Sequence, residues 1–145
     1  MIYLWQPITE LFFTRAYDEN VVVAIETETL KAQSTDPLLV IKVRISNRGA
    51  VPAWIKNEDG KGELTLEVNN VSGTSGQWID EKSLSVVAKT DLLVGHKGGY
   101  VIAPNAYFEE VESIPLPKGN YLLKATLKFP DGDYIDQRSF IHHSE

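Results

Sequence analysis

The chain has no cysteine. That absence excludes a disulfide framework, a thiol nucleophile, a Cys-ligated zinc site and an iron–sulfur cluster. It also fits bacterial compartments better than the eukaryotic secretory route. Long apolar runs are missing as well. The opening stretch from Met1 to Thr9 is uncharged but ends at Glu10, well short of the ~20 residues a membrane-spanning helix needs. An export signal begins with basic residues followed by an apolar stretch, yet the first basic residue here is Arg15. A complete chain of this kind is expected in the cytoplasm. A fragment that had lost an upstream signal or anchor would belong to the periplasm or cell surface. No repeat, low-complexity tract or Pro/Ser-rich linker divides residues 1–145, so the expectation is one domain.

Basic residues are outnumbered, with 14 Lys and Arg against 20 Asp and Glu, a net charge of −6. Bulk attraction to nucleic acid or anionic lipid is therefore not expected. Hydrophobic residues make up 43% of the 145, which separates the chain from disordered sequences. A chain of this length buries roughly two thirds of its unfolded surface.

What is present is a repeated two-residue period. In residues 38–47, Leu39, Ile41, Val43 and Ile45 share one face. Leu64, Leu66 and Val68 do so in 63–69, and Tyr121, Leu123, Ala125, Leu127 and Phe129 do so in 120–129. Val21–Lys31, Ser83–Thr90, Tyr100–Phe108 and Asp133–His142 are further strands by their Val, Ile, Thr, Tyr and Phe content. Asn57–Gly62 and Pro130–Asp133 carry the Asn, Asp and Gly of tight turns, and each predicts a hairpin. Regular short strands without intervening helices predict an antiparallel sandwich of seven to nine strands. Between Pro7 and Tyr17, Ile8, Leu11, Phe12 and Ala16 approach helical spacing. A short helix and an irregular edge strand are both open there, packed on the sandwich as an N-terminal segment covering 1–20.

Two stretches carry a family resemblance. Val43-Arg44-Ile45-Ser46-Asn47-Arg48-Gly49-Ala50-Val51-Pro52-Ala53-Trp54 ends one strand in Asn-x-Gly and starts another near Pro. Ile114-Pro115-Leu116-Pro117-Lys118-Gly119-Asn120-Tyr121 feeds a Pro-x-Gly-x-Tyr corner into an alternating strand. Together they resemble bacterial immunoglobulin-like sandwich domains, which include adhesion modules and the intracellular proteinase inhibitor group. The resemblance implies a Tyr121 hydroxyl bonded back to the corner's backbone and a core position for Trp54. It carries no function by itself.

Catalytic signatures are not found. Gly60-Lys61-Gly62 lacks the third glycine of a dinucleotide loop, and Gly73-Thr74-Ser75-Gly76-Gln77 has Gln where a serine elbow needs glycine. Adjacent His142 and His143 point to opposite faces of a strand, so they do not share a metal, and fraying is expected at that end. His96 lies in a Gly-rich loop. Glu109, Glu110 and Glu112, with Asp131, Asp133 and Asp136, lack the order of a calcium loop and read as solubilising edges and turns. Lys42, Arg44, Arg48 and Lys56 form an acid-free basic stretch. With Lys124 and Lys128 it would make one basic sheet face if those strands were neighbours.

The sequence therefore predicts a non-catalytic binding module without cofactor or metal. Its expected partner is a protein, met through loops at one end or through a sheet edge. Candidate contacts are Trp78, His96 and Tyr100. A carbohydrate-binding module is the alternative, since Trp78 with Tyr100 and Tyr107 could form a platform for sugar rings. A proteinase inhibitor is the alternative that the resemblance implies. Nucleic acid and membrane insertion are not expected.

Overall fold

The computed structural model describes residues 20–31, 36–55, 64–72, 74–75, 78–79, 81–93, 100–129 and 134–144. Seven strands make two antiparallel layers. One layer has the order β1 (Val21–Leu30), β2 (Leu38–Asn47), β9 (Tyr107–Pro115). The other has the order β11 (Tyr134–His143), β10 (Gly119–Lys128), β4 (Leu64–Val71), β7 (Leu84–Asp91). Four short strands form two ribbons, β3 (Ala53–Ile55) with β8 (Tyr100–Ile102) and β5 (Thr74–Ser75) with β6 (Trp78–Ile79). The protein is an all-β sandwich.

The alternation read from the sequence sets which face is buried. Ile41, Val43, Ile45, Leu64, Val68, Leu123, Ala125 and Leu127 have no exposed surface, and Leu39 and Leu66 have almost none. Each large aliphatic side chain so buried contributes about 1.5–3 kcal/mol relative to exposure, and together they fill the space between the layers.

Local chemistry shapes both ends of this core. Beyond β2, the Asn47 amide nitrogen donates to the Ala106 carbonyl, and the Asn105 nitrogen donates to the Asn47 carbonyl. Asn105 sits at φ 64°, a left-handed conformation that Asn tolerates better than most residues. The β2–β9 pair thus continues through a kink into β3–β8. The buried Asn47 side chain holds this corner. Its Nδ2 donates to the carbonyls of Val51 (2.8 Å) and Ile102 (2.9 Å), and its Oδ1 accepts from Gly49 N (2.9 Å). Space at Gly49 is tight: a Cβ there would lie 3.0 Å from the Asn20 Cβ and 3.2 Å from Asn47 Oδ1, so a side chain would have to push its neighbours aside. At the other corner, the Tyr121 hydroxyl donates to the Pro117 carbonyl at 2.7 Å, as the Pro-x-Gly-x-Tyr sequence led us to expect.

Several expectations need correction. Asn57–Gly62 lies outside the described residues, and the strands on either side of it pair elsewhere, β3 with β8 and β4 with β10 and β7. Pro130–Asp133 does join a paired hairpin, β10–β11. The segment 100–108 is not one strand; the kink at Asn105 separates β8 from β9. Trp54 is not a core residue and is 55% exposed, because Ala53 and Ile55 take the inward places on β3. The basic strand faces do not merge, since β2 and β10 belong to different layers. The C-terminal strand is not frayed: His143 is wholly buried. The N-terminal segment 1–19 with its Pro7–Tyr17 alternatives lies outside the described residues.

Candidate functional site

The nominated residues Trp78 and Tyr100 do not share one end of the sandwich. Trp78 begins β6 in the small hairpin between the end of β4 and the start of β7, where Ser72 N and Oγ both donate to the Ser83 carbonyl. Tyr100 begins β8, opposite Ile55, beyond the far end of β7. Eight residues of β7, about 25 Å of extended strand, separate those ends. His96 lies outside the described residues.

A different constellation comes together on the outer face of β2 and β9. Arg44 and Glu109 are directly opposed in the register. The guanidinium donates from Nε (3.0 Å) and Nη2 (2.9 Å) to the same carboxylate oxygen, Oε2 of Glu109. Its carbon Cζ stands 4.3 Å from the centroid of the Tyr107 ring, a cation–π distance. The hydrogen bonds it donates to Glu109 raise the Arg44 pKa further, so the guanidinium stays charged. Tyr107 remains 57% exposed and Val111, two positions beyond Glu109, 51% exposed. Lys42 pairs across the sheet with Glu26 and Val111. Each of these basic residues thus faces an acid on one neighbouring strand, Lys42 on β1 and Arg44 on β9.

Pairing alone does not explain this geometry. Exposed ion pairs contribute about 0–1 kcal/mol, and an exposed Tyr contributes less burial than a core ring. The arrangement instead fixes a flat aromatic ring, a cation and a carboxylate in defined positions at the surface. Arg and Tyr are the residue types that anchor protein interfaces. The kinked continuation of the same ribbon adds the exposed cross-strand pair Trp54 and Val101. The sequence raises Tyr107 only for a sugar platform and Arg44 only within a basic stretch, and does not bring the two together. Their proximity depends on the β2–β9 pairing, 65 residues apart for Arg44 and Glu109.

One hydroxyl–imidazole contact merits a chemical test. Thr29 Oγ1 lies 3.2 Å from His143 Nδ1, while Nε2 faces the carbonyls of Pro37 (3.0 Å) and Leu116 (3.1 Å). Two carbonyl acceptors require Nε2 to carry the proton, leaving Nδ1 to accept from the threonine. Nucleophile and base pairs have similar spacing. Here, however, the imidazole is wholly buried and its Nε2 proton is held by backbone of the opposite layer, so the contact acts as a latch between sheets. His142 points outward to Asn120 Oδ1 at 2.7 Å. Among the described residues no group of three or more His, Asp or Glu converges as a metal site, and no helix is long and apolar enough to cross a membrane.

Comparison with known proteins adds the fold. No protein-family model matches the chain, and no curated protein does. Among solved structures, it is similar to the X-ray structure of a Northeast Structural Genomics Consortium target, with 15% identity and a TM-score of 0.54 over 88% of this chain and 90% of the other. It is also similar to a Bordetella pertussis protein given the name ApaA, with 15% identity and a TM-score of 0.52 over 83% and 89% of the two chains. At that identity the likeness concerns architecture alone.

Proposed function

We propose that this protein is a non-catalytic interaction module of the immunoglobulin-like type, recognising a protein partner through the exposed face and edge of β9. The observation that carries the reading is the Arg44–Glu109–Tyr107 cluster, an ordered set of interface-type side chains on the outer face of β2 and of β9, which among the described residues pairs with β2 alone. The immunoglobulin-like assignment draws on two features: the layer order β1-β2-β9 facing β11-β10-β4-β7, and the Tyr121–Pro117 corner at the start of β10.

The test places a photo-crosslinking amino acid at Tyr107, and separately at the outward residue Lys128 of the other layer, and exposes both proteins to extract of the source cells. The reading expects a discrete adduct from position 107 that is suppressed by Arg44→Ala. Equal labelling from both positions, or none from 107, would remove it. Exposed Trp54 favours a second reading, a glycan surface. That reading expects a shift in Trp fluorescence on titration with glycans and its loss in Trp54→Phe, and silence across a broad panel would dispose of it.

A further inference from the structure

We infer that the partner meets this face as an uncharged, proline-rich segment in the polyproline conformation, laid along an exposed strip from Val111 through Tyr107 to Trp54. This rests on the reading of the outer face of β2 and β9 as the recognition surface and names the chemistry that surface selects.

The strip follows one bent ribbon. Val111 and Tyr107 share the outward side of β9, four residues or about 13 Å of extended strand apart. Past the kink at Asn105, the buried Ala53, Ile55 and Ile102 take the inward side of β3 and β8 and leave the opposed pair Trp54 and Val101 outward. All four outward side chains keep more than half of their surface in solvent. Large apolar groups exposed in succession along a single ribbon differ from the singly scattered ones that any surface carries.

This face offers a partner little surplus charge. Arg44 stands opposite Glu109 and bonds it, and Lys42 stands opposite Glu26. Glu28, the other acid on the outward side of β1, stands opposite Val40 and is separated from β9 by the whole of β2. An acidic segment laid on the strip would meet Glu109 beside Arg44, and a basic one would meet Arg44 beside Glu109. Neither gains much, so an uncharged segment is the better fit.

The polar groups still open along the strip are mainly donors. Glu109 takes Nε and Nη2 of Arg44. Among the described residues, no hydrogen bond engages Arg44 Nη1, the Tyr107 hydroxyl or the Trp54 indole N–H. Indole and guanidinium nitrogens only donate, and a phenol can donate. An ordinary extended chain brings an N–H with every carbonyl, whereas proline brings the carbonyl alone. A polyproline helix also makes no internal hydrogen bonds, so its carbonyls remain available to such donors. Segments of this kind dock on aromatic side chains and, being already ordered, lose little entropy on doing so. The Tyr107 ring suits that contact, with the guanidinium over one face and most of its surface in solvent.

The experiment titrates the full chain, labelled with nitrogen-15, with a synthetic peptide repeating Pro-Pro-Leu and flanked by serines. A peptide of equal length repeating Ser-Thr-Leu is the control. The proline-rich peptide is expected to shift one indole N–H resonance, absent from Trp54→Phe, together with the amides of Val101, Tyr107 and Val111. It should bind about tenfold more tightly than the control. Its affinity should change by less than about twofold between about 0.05 and 0.5 M salt, because no ion pair forms on binding. Tyr107→Ala should weaken binding about tenfold, and Tyr107→Phe, which keeps the ring and loses the hydroxyl, about threefold, both with the amide spectrum otherwise intact. Equal binding of the two peptides, shifts that avoid Trp54 and Tyr107, or a steep fall in affinity with salt would overturn the inference. So would a Trp54 shift produced by a mixture of oligosaccharides and not by the proline-rich peptide. An adduct from position 107 together with such a result would leave protein recognition standing and remove the polyproline segment, whereas loss of both would remove the broader reading.

Discussion

Two buried polar residues lie at opposite ends of β2 and hold the sandwich in different ways. Asn47 closes β2 and binds Val51, Gly49 and Ile102, all within the ribbon that β2 itself begins. His143 closes β11 and binds Pro37, just before β2, with Leu116 after β9 and Thr29 on β1. β2 has ten residues, so the two nodes are about 30 Å apart. Asn47 shapes one ribbon, whereas His143 ties one layer to the other, with Tyr121 edge-on to its ring at 6.1 Å. The difference separates a residue that bends a sheet from one that closes a sandwich.

Breaking the His143 latch should have the largest effect. His143→Ala leaves the Pro37 and Leu116 carbonyls without their donor and opens a cavity in the core. The expected loss is about 3 kcal/mol, equivalent to lowering the thermal midpoint by about 10 °C in a domain of this size. His143→Gln keeps an N–H donor and should recover about 1 kcal/mol of that. Hydrogen exchange should quicken in both layers at this end, around Leu30, Leu38 and Gly119. Faster exchange confined to β11 would show that the histidine secures only its own strand.

Removing Asn47 should do less, and more locally. Asn47→Ala deletes three hydrogen bonds at the corner, for an expected loss of about 2 kcal/mol. Exchange should rise at Gly49, Ile102 and Asn105 while Leu30 and Gly119 keep their protection. If the far end loosens equally, the two nodes belong to one cooperative unit and the contrast fails.

Tyr121 sharpens the contrast through pH. Burial pushes its phenol above the usual value of 10.0, partly offset by a hydrogen bond with Asn70. A raised folded pKa means the native state keeps its proton longer than the unfolded chain. This contribution is fully present below pH 10 and is lost as pH rises through the folded value. Tyr121→Phe should lose about 1 kcal/mol at neutral pH, from the Pro117 hydrogen bond, and its stability should fall less steeply above pH 10. Urea titrations at pH 8 and 10.5 would check both, and parallel wild-type and variant slopes would contradict the assigned cause.

The same distinction between local and distant partners governs what could be read from the sequence. Asn47 and Gly49 announce their corner because two of the three side-chain bonds at Asn47 reach residues within four positions. Tyr121 and Pro117 are likewise four apart. The core faces of β2, β4 and β10 follow from alternation, a strictly local property. His143 bonds across 114, 106 and 27 positions, so nothing near it in the chain marks it as more than a terminal histidine. β9 escaped for another reason: Glu109, Glu110 and Glu112 interrupt its apolar pattern, and edge strands bury one face only in part. Trp54 departs from the core position that the resemblance implies, because Ala53 and Ile55 take the inward places and turn it outward. The Arg44–Glu109–Tyr107 cluster needed the pairing of β2 with β9, which no local pattern specifies.

The smallest stability effect belongs to that cluster, and its smallness is the informative result. Arg44 and Glu109 keep 39% and 28% of their side-chain surface exposed, and water already screens such pairs. Arg44→Ala should therefore change stability far less than the loss of either buried node. It should still reduce crosslinking from position 107 severalfold, because the partner loses the guanidinium that stands beside that position. Arg44→Lys, which keeps the charge but not the planar fork, should give an intermediate yield. A stability loss as large as that of Asn47→Ala without a change in crosslinking would make the cluster a third structural node, and the partner surface would have to be sought elsewhere.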